Sequence, residues 1–256
     1  MSPPVLQVQG ISKRFGGLQA LSDVGMTIQP GQVYGLIGPN GAGKTTFFNV
    51  ITGLYAPDSG SFKLAGQSYQ PSSVHEVAAA GIARTFQNIR LFADMTALEN
   101  VMVGRHVRTR SGVLGAVFRT KAFVQEELAI AQRAQALLDY VGIGQLGPYK
   151  ARTLSYGDQR RLEIARALAT DPKLIALDEP AAGMNATEKV QLRELIDRIR
   201  HDGRTILLIE HDVKLVMGLC DAVTVLDYGK QIAQGSPAEV QRDAKVIEAY
   251  LGTGEH

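Results

Sequence analysis

The 256-residue sequence contains a single cysteine, Cys220, which excludes an internal disulfide bond. Sparse cysteine is typical of a reducing compartment, and we expect Cys220, on an apolar helical run, to be a buried thiol. No apolar run approaches the ~18 residues that a membrane-spanning helix needs, and residues 1–4 show no signal-peptide pattern. The sequence therefore predicts a chain that neither crosses a membrane nor is secreted, while docking on a membrane protein stays open.

The chain also lacks a large excess of either positive or negative charge: its formal net charge is only +2. This balance argues against a dedicated nucleic-acid binder, although it leaves a local basic patch open. We find no linker and no low-complexity segment. The length fits one large domain or two modest ones, and the 45% hydrophobic content is enough for a sizeable core.

The chain does contain the pattern G-x-x-x-x-G-K-[ST], at residues 38–45, which is typical of a phosphate-binding loop. Backbone N–H groups converge on phosphate oxygens only in a tight, partly left-handed loop, which glycine adopts without steric cost. Lys44 adds a positive charge toward the outer phosphates, and Thr45 offers a hydroxyl to Mg²⁺. A glycine-rich turn with a stray lysine is the plainer interpretation. A predicted strand at 32–37 and a helix from about 43 favour the nucleotide site. The predicted nucleotide-binding residues of the loop are Gly38, Pro39, Asn40, Gly41, Ala42, Gly43, Lys44, Thr45 and Thr46.

Around this loop the first part of the chain is predicted to be rich in strands. The predicted elements are strands at 6–11, 24–28, 61–66 and 82–87, with a turn at 57–60 and a short helix at 76–80. Helical periodicity follows from 96 to about 142, clearest at 124–140. The basic stretch 105–112 interrupts it, either as a solvated loop or as a contact surface for a partner.

From residue 155 onwards, helices and strands alternate, which predicts a parallel sheet. The predicted elements are strands at 173–178 and 204–209, helices at 155–170, 186–200 and 212–220, a hairpin at 222–234 turning at 227–229, and a last helix from 236 to about 251.

Polar side chains follow several of the predicted strands, where a parallel sheet would present them to a nucleotide. Asp178 can hold Mg²⁺ through its water shell, and Glu179 is free to orient and deprotonate the attacking water. His211 could reach a γ-phosphate, and Gln87 could reach Mg²⁺ or the attacking water. The plainer interpretation is a pair of loop-start carboxylates with an unremarkable histidine and glutamine.

Residues 154–159, Leu-Ser-Tyr-Gly-Asp-Gln, open a predicted helix. Ser155 fits an N-cap, with Asp158 completing an approximate capping box. The same open helix end is also an anion site, so capping and phosphate binding do not exclude each other.

In their order along the chain, these motifs resemble the ATP-binding-cassette ATPases. The motifs are Phe15 before the loop, the loop itself, Gln87, residues 154–159, Asp178 with Glu179, a short loop through Asn185, and His211. The resemblance covers essentially the whole chain. It implies an α/β P-loop fold with a RecA-like parallel-sheet core, an antiparallel β subdomain and an inserted α-helical subdomain. It further implies one domain at 5–253, with the core and β subdomain at about 5–86 and 172–253 and the helical subdomain at about 88–170.

The resemblance also implies roles, with ATP and Mg²⁺ as cofactors. Two cassettes would face each other head to tail, and Ser155 and Gly157 of one would touch the γ-phosphate bound by the other. An isolated cassette should therefore hydrolyse ATP poorly. The implied roles are adenine stacking for Phe15, general base for Glu179, γ-phosphate contact for His211, phosphate contact for Lys44, coupling to a transmembrane partner for Gln87, and metal binding for Thr45, Gln87 and Asp178.

The sequence departs from the family pattern at two places. Tyr156 replaces the first glycine of the usual Leu-Ser-Gly-Gly-Gln signature, and Asp158 stands before Gln159. Asn185 stands where the family usually has aspartate, and it fits a helix cap with Glu188. Whether the two ATP sites of a cassette pair communicate through residue 185 is therefore left open by the sequence.

Residues 84–101, 156–166 and 180–185 look most like the cassettes of branched-chain amino-acid importers, and a basic insertion near 105–119 suits that group. This resemblance implies two transmembrane permease subunits, a second cassette in a homodimer or heterodimer, and indirectly a periplasmic or extracellular substrate-binding protein, with no nucleic acid. The chain would lie peripherally on the cytoplasmic face of the plasma (inner) membrane. We expect residues 87–103 to contact the permease.

Other functions stay open at the level of sequence. Related cassettes serve urea or amide import or lipopolysaccharide export. A soluble cassette ATPase acting on DNA or ribosomes usually carries two cassettes or a long coiled coil, and this chain shows neither. A nucleotide-gated binding module without turnover is disfavoured because Lys44, Asp178, Glu179 and His211 are all present.

Overall fold

The computed structural model describes residues 3–71, 73–105 and 121–251. The strands are β1 Leu6–Phe15, β2 Leu18–Ile28, β3 Val33–Ile37, β4 Ser59–Leu64, β5 Gln67–Tyr69, β6 Ile82–Arg84, β7 Leu174–Asp178, β8 Thr205–Ile209, β9 Ala222–Asp227 and β10 Lys230–Gly235. The helices are α1 Lys44–Ile51, α2 Val74–Ala80, α3 Ala97–Arg105, α4 Lys121–Tyr140, α5 Tyr156–Leu168, α6 Ala186–His201, α7 Val213–Leu219, α8 Pro237–Val240 and α9 Ala244–Leu251, with 3₁₀ turns at Gly144–Leu146 and Ala151–Thr153.

The central sheet has six strands in the order β10-β9-β3-β8-β7-β6. All neighbours pair in parallel except β10, which runs antiparallel to β9. Every residue of β3, β7 and β8 is buried, because layers cover both faces of the sheet. The carboxyl ends of β3, β6, β7 and β8 therefore meet at one edge, where the loop after β3 lies.

A second, antiparallel sheet has the order β2-β1-β4-β5. Its apolar residues share a buried cluster with α1 and with one face of the central sheet. The opposite face of the central sheet packs in a second cluster with residues of α3 to α7. The parallel core, the antiparallel sheet and the helical part between β6 and β7 agree with the predicted fold class.

Several predicted boundaries are wrong. Strands β1 and β2 extend to Phe15 and back to Leu18, because their bulged pairing continues to the connecting turn. Strand β4 ends at Leu64, since Ala65 and Gly66 adopt positive φ in the turn to β5, a strand that the sequence did not reveal. Strand β6 ends at Arg84 instead of residue 87, and the last helix is divided into α8 and α9.

Other predictions hold. The turn at Tyr228 and Gly229 has positive φ at both residues, as a two-residue hairpin of the type I′ class requires. Cys220 is buried and unbridged. Most of the basic stretch predicted at 105–112 lies outside the described residues. Within the three described ranges, no helix has the length and apolar character needed to cross a membrane.

Candidate functional site

The loop between β3 and α1 has the glycine-dependent backbone that the motif predicts. Gly38, Gly41 and Gly43 have φ of 152°, 80° and 98°. A Cβ at Gly38 would lie 2.1 Å from the carbonyl oxygen of Leu226, and one at Gly43 would lie 2.9 Å from that of Ala20. Larger residues at these two positions would therefore clash with the neighbouring backbone as well as strain their own.

Lys44 begins α1, and its side chain turns back into the loop. The ammonium Nζ donates hydrogen bonds to the carbonyl oxygens of Gly38 at 2.6 Å and Pro39 at 2.9 Å. Burial lowers the pKa of Lys44, while the negative charge of Glu179 opposes that shift. The loop thus encloses a positive charge beside the open amino end of a helix, an arrangement that favours anionic phosphate.

A cavity of about 450 Å³ opens above this loop. Residues 40–46, Phe15 and Glu179 line it, so the structure brings together most of the predicted nucleotide site. The Phe15 side chain is 42% exposed, and its ring meets the edge of Tyr55 at 5.2 Å between centroids. An exposed aromatic face at the rim of the cavity can stack on a purine base.

The same cavity has walls that sequence reasoning missed. The additional lining residues are Leu18, Gln19, Ala20, Tyr228 and Gly229. The backbone N–H of Gly229 donates to the carbonyl of Ala42 at 3.0 Å, which docks the β9–β10 turn on the loop. The sequence revealed that turn, but no local signal in it indicates contact with residues almost two hundred positions earlier.

Neighbouring strand ends bring Gln87, Glu179 and His211 together. Gln87 Nε2 donates to Glu179 Oε2 at 2.8 Å, and His211 Nδ1 lies 3.7 Å from the same oxygen. Glu179 has a positive φ of 45°, which is unusual for a residue with a side chain. Its N–H donates to the carbonyl of Ile209 at 2.9 Å, so the end of β8 holds this strained conformation.

Asp178 is 4% exposed, and Arg84 Nη2 lies 3.5 Å from its Oδ2. Burial raises the pKa of Asp178, and the Arg84 charge only partly offsets that effect. Arg84, which sequence reasoning missed, also donates to Asn49 and Thr52. Its guanidinium stacks between the rings of Phe48 and Phe86. Burial lowers the pKa of Arg84 to about 10.

The oxygen donors predicted for Mg²⁺ fit a magnesium ion that is shared with a nucleotide. Asp178 offers a buried carboxylate whose ionised form a cation would favour, and Thr45 and Gln87 offer neutral oxygens. Among the described residues, no group of three or more histidine, cysteine, aspartate and glutamate side chains could hold a metal alone. One carboxylate plus substrate phosphates is the usual protein environment of Mg²⁺.

The signature at the start of α5 lies apart from this cavity. Ser155 caps the helix by accepting the N–H of Asp158 at 3.2 Å, and its hydroxyl donates to the Asp158 carboxylate at 2.7 Å. Gly157 is buried, and a Cβ there would lie 2.8 Å from Glu188 Oε1 on α6. Neither Ser155 nor Gly157 lines the cavity of its own chain.

Tyr156 and Asn185, the two residues that depart from the family pattern, both make defined contacts in the structure. The ring of Tyr156 packs over Gly183, and its hydroxyl accepts a hydrogen bond from Arg160 at 3.0 Å. Asn185 and Glu188 form a complete capping box at the start of α6, as predicted.

A phosphate-binding loop between a buried parallel strand and a helix, with carboxylates at the next strand end, defines a P-loop nucleotide-binding protein. Residues 21–182 match the sequence model of the ABC transporter family, and residues 230–256 match that of the branched-chain amino acid ATP-binding cassette transporter.

Whole-chain relatives agree. The chain is 45% identical to the high-affinity branched-chain amino acid transport ATP-binding protein BraF of Pseudomonas aeruginosa, over 98% of this chain and 99% of BraF. It is 44% identical to the corresponding protein LivG of Escherichia coli K12, over the same shares. An ABC transporter cassette crystallised in its ADP conformation superposes with a TM-score of 0.84 at 34% identity, over 97% of this chain and 99% of that one. The chain belongs to the ABC transporter family, as an ATP-binding cassette of the group that contains the branched-chain amino acid transport ATP-binding proteins.

Proposed function

We propose that this chain binds and hydrolyses ATP to drive a membrane importer of branched-chain or related amino acids. The observation that carries the proposal is the convergence of Gln87 and His211 on the carboxylate of Glu179, a residue that lines the cavity above the phosphate-binding loop. Relatives that are 44–45% identical over almost the whole chain are named for branched-chain amino acid transport, which supports the substrate class.

In this proposal the residues of the chain divide the work between binding and proton transfer. The loop amides and Lys44 hold the phosphates, Phe15 stacks on adenine, and Glu179 accepts a proton from the attacking water. Gln87 orients the Glu179 carboxylate by its hydrogen bond, and His211 contacts the γ-phosphate, so that the carboxylate and the phosphate are aligned for the reaction. Mg²⁺, held by Thr45, Asp178 and Gln87 with the nucleotide, would neutralise charge on the phosphates.

The transport partners are part of the same proposal. A second cassette would supply Ser155 and Gly157 to the site, because neither residue lines the cavity of its own chain. Two transmembrane permease subunits would place the chain peripherally on the cytoplasmic face of the membrane, with a substrate-binding protein acting on the other side. We retain residues 5–253 as one cassette and about 88–170 as its helical subdomain.

We place the permease contact on residues 87–103. An apolar groove of about 320 Å³ adjoins this segment and is lined by side chains that include Phe86, Phe92 and Val103. Phe92 is exposed at its edge. A helix of the permease with an apolar face would fit this groove, and acidic flanks on that helix would suit the exposed Arg90 of the same segment.

Uptake measured in the native host tests the function. Replacing the chromosomal copy with Glu179→Gln should abolish uptake of labelled leucine, isoleucine and valine, whereas Glu248→Gln, on the exposed face of α9, should not. Loss of urea or amide uptake with normal leucine uptake would assign the chain to the related importers. Recovery of ribosomes, DNA-repair factors or a lipid-export assembly with the affinity-purified chain would overturn the importer.

Charge reversal tests the contact surface. Arg90→Glu combined with Asp94→Lys should reduce recovery of permease subunits with the chain and remove transport-coupled ATPase activity. Lys63→Glu, on the exposed side of β4, is the matched control. Intact assembly and coupling in the double variant would contradict the placement on residues 87–103.

A further inference from the structure

Helix α5 carries three charged residues at three-residue spacing, Arg160, Glu163 and Arg166, which places them along one side of the helix. The side chains of Arg160 and Glu163 are only 2% and 1% exposed, and they form an ion pair at 3.3 Å. Burying an ion pair rarely adds stability, since the desolvation cost offsets the attraction. A contribution to stability therefore does not explain why this ion pair is buried.

All three side chains bond to the backbone of residues 86–90, the segment that leaves the sheet after β6. Arg160 Nη1 donates to the carbonyl of Phe86 at 2.6 Å, and Arg160 Nη2 donates to the carbonyl of Gln87. Glu163 Oε1 accepts the N–H of Phe86 at 3.1 Å. Arg166 completes the series by donating to the carbonyl of Arg90. The path of this segment is thus set by α5.

Gln87 lies between these contacts and the reaction site. Its backbone carbonyl is held by Arg160, while its side chain donates to Glu179. The Tyr156 hydroxyl accepts from the same Arg160 guanidinium, so the residue that departs from the usual signature contributes to the contact. Helix α5 begins directly after its N-cap Ser155, which lies about 7.5 Å along the helix axis from Arg160. The signature and the arginine that holds the Gln87 backbone therefore belong to the same helix.

We propose that Arg160 is a positioning residue that sets where Gln87 stands against Glu179, with Glu163 and Arg166 completing the clamp. This inference rests on the proposed ATPase function. A displacement of the signature helix, such as a partner's nucleotide would cause, moves the Gln87 backbone with it. Arg160 then affects the rate of hydrolysis, whereas the affinity for ATP is determined by the loop after β3.

Steady-state hydrolysis and nucleotide binding by the full-length chain test the clamp. Arg160→Met should lower kcat roughly tenfold to a hundredfold, because a small misplacement of a catalytic group costs that much. The Kd for ATP should change by less than about twofold, since the phosphate-binding loop is untouched. Arg160→Lys, which keeps one donor group, should recover part of the rate.

Arg161→Met is the matched control, because the neighbouring guanidinium bonds to Gln191 on α6 instead of to residues 86–90. Hydrogen exchange at the amides of Phe86 and Gln87 gives a readout independent of turnover. It should quicken in Arg160→Met and stay unchanged in Arg161→Met. Equal exchange in the two variants would overturn the clamp.

Arg160→Met leaves Glu163 buried without its counter-ion, so the variant needs a folded comparator. The double variant Arg160→Met with Glu163→Gln removes that uncompensated charge. A low kcat in the folded double variant supports positioning, and a parental kcat overturns it. An unsubstituted chain that binds ATP without hydrolysing it would overturn the proposed function. An active parent with Arg160→Met as fast as Arg161→Met would overturn the clamp alone.

Discussion

At the scale of single residues, the site is built from carboxylates that the fold holds at a cost. Glu179 has left-handed backbone, and Asp178 is buried with a raised pKa. Glu210 is fully buried, and its Oε1 accepts the N–H of Ala181 at 2.9 Å. Its Oε2 has no hydrogen-bond partner among the residues that the structure describes, and it lies 3.9 Å from His211 Nδ1. Such groups persist where function needs charge close to a reacting centre.

Glu179→Gln should separate binding from hydrolysis. The amide keeps the shape of the side chain but cannot accept the proton of water, so turnover should fall by about 10²–10⁴. Nucleotide affinity should be retained, as measured by calorimetry beside a phosphate-release assay. Glu248→Gln is the control, and unchanged turnover in Glu179→Gln would favour a nucleotide-gated module without catalysis.

Glu210→Gln should stabilise the protein in a pH-dependent way. Burial raises the pKa of Glu210 above its ordinary value of 4.5, so the folded parent disfavours the ionised form. Below pH 4.5 the carboxyl is protonated in both folded and unfolded states, and the two proteins should melt alike. At pH 8 the unfolded parent ionises freely, whereas burial opposes ionisation of Glu210 in the folded parent, so the variant should be more stable by roughly 1–3 kcal/mol.

Thermal unfolding between pH 4 and pH 8 measures this difference. Each kcal/mol corresponds to a Tm change of about 2–4 °C in a chain of this size. The exposed Glu248→Gln control should show no such trend. A constant difference in Tm across the range would mean that the charge of Glu210 is not the cause.

At the scale of secondary structure elements, helix ends and strand ends position the chemistry. Helix α6 starts at a complete capping box of Asn185 and Glu188, and helix α8 starts at one of Ser236 and Glu239. Glu188 of the first box also lies against Gly157 of the signature. The cap therefore orders the helix and fixes the neighbour on which the signature packs.

Asn185→Ala should cost about 1 kcal/mol, because the N–H of Glu188 loses its side-chain acceptor. The Tm should fall by about 2–4 °C. Asn185→Asp, which restores the usual family residue and can still cap, should melt like the parent. Thr187→Ala, in the same exposed turn, controls for side-chain loss. An unchanged Tm in Asn185→Ala would show that the cap adds nothing.

At the scale of the whole molecule, the chain carries two separated halves of the proposed reaction site. The loop after β3, Asp178 and Glu179 lie at one sheet edge, whereas Ser155 starts a helix whose residues do not line that cavity. In a head-to-tail pair of chains, the phosphate-binding loop and carboxylates of each molecule would face the signature of its partner. Activity should therefore depend on pairing.

Mixing two inactive variants tests this pairing. Ser155→Ala keeps Glu179, and Glu179→Gln keeps Ser155, so a mixed dimer contains one intact composite site. An equal mixture should recover about a quarter of the parental ATPase rate, since half of the random dimers are mixed and each has one working site. A mixture as inactive as its components would argue for a site complete within one chain.

The fold class could be predicted because its signals are local. Glycine spacing at residues 38–43 and the apolar strands that end at Ile37, Asp178 and Ile209 are visible in short stretches of sequence. Strand limits depend on pairing instead: Phe15 and Leu18 extend their strands because they pair with each other, and β5 exists because β4 is beside it. Pairing is a property of two segments, which no single segment reveals.

By itself, the sequence determined the phosphate-binding loop, the carboxylates at the strand ends and the Asn185 cap, because each depends on neighbours within a few residues. The tertiary structure decided that Gln87, Glu179 and His211 meet and that the turn at Tyr228 and Gly229 walls the cavity. It also placed Arg160 on the backbone of Gln87, 73 positions away. Side-chain partners across such separations are chosen by packing and burial, which only the folded chain defines.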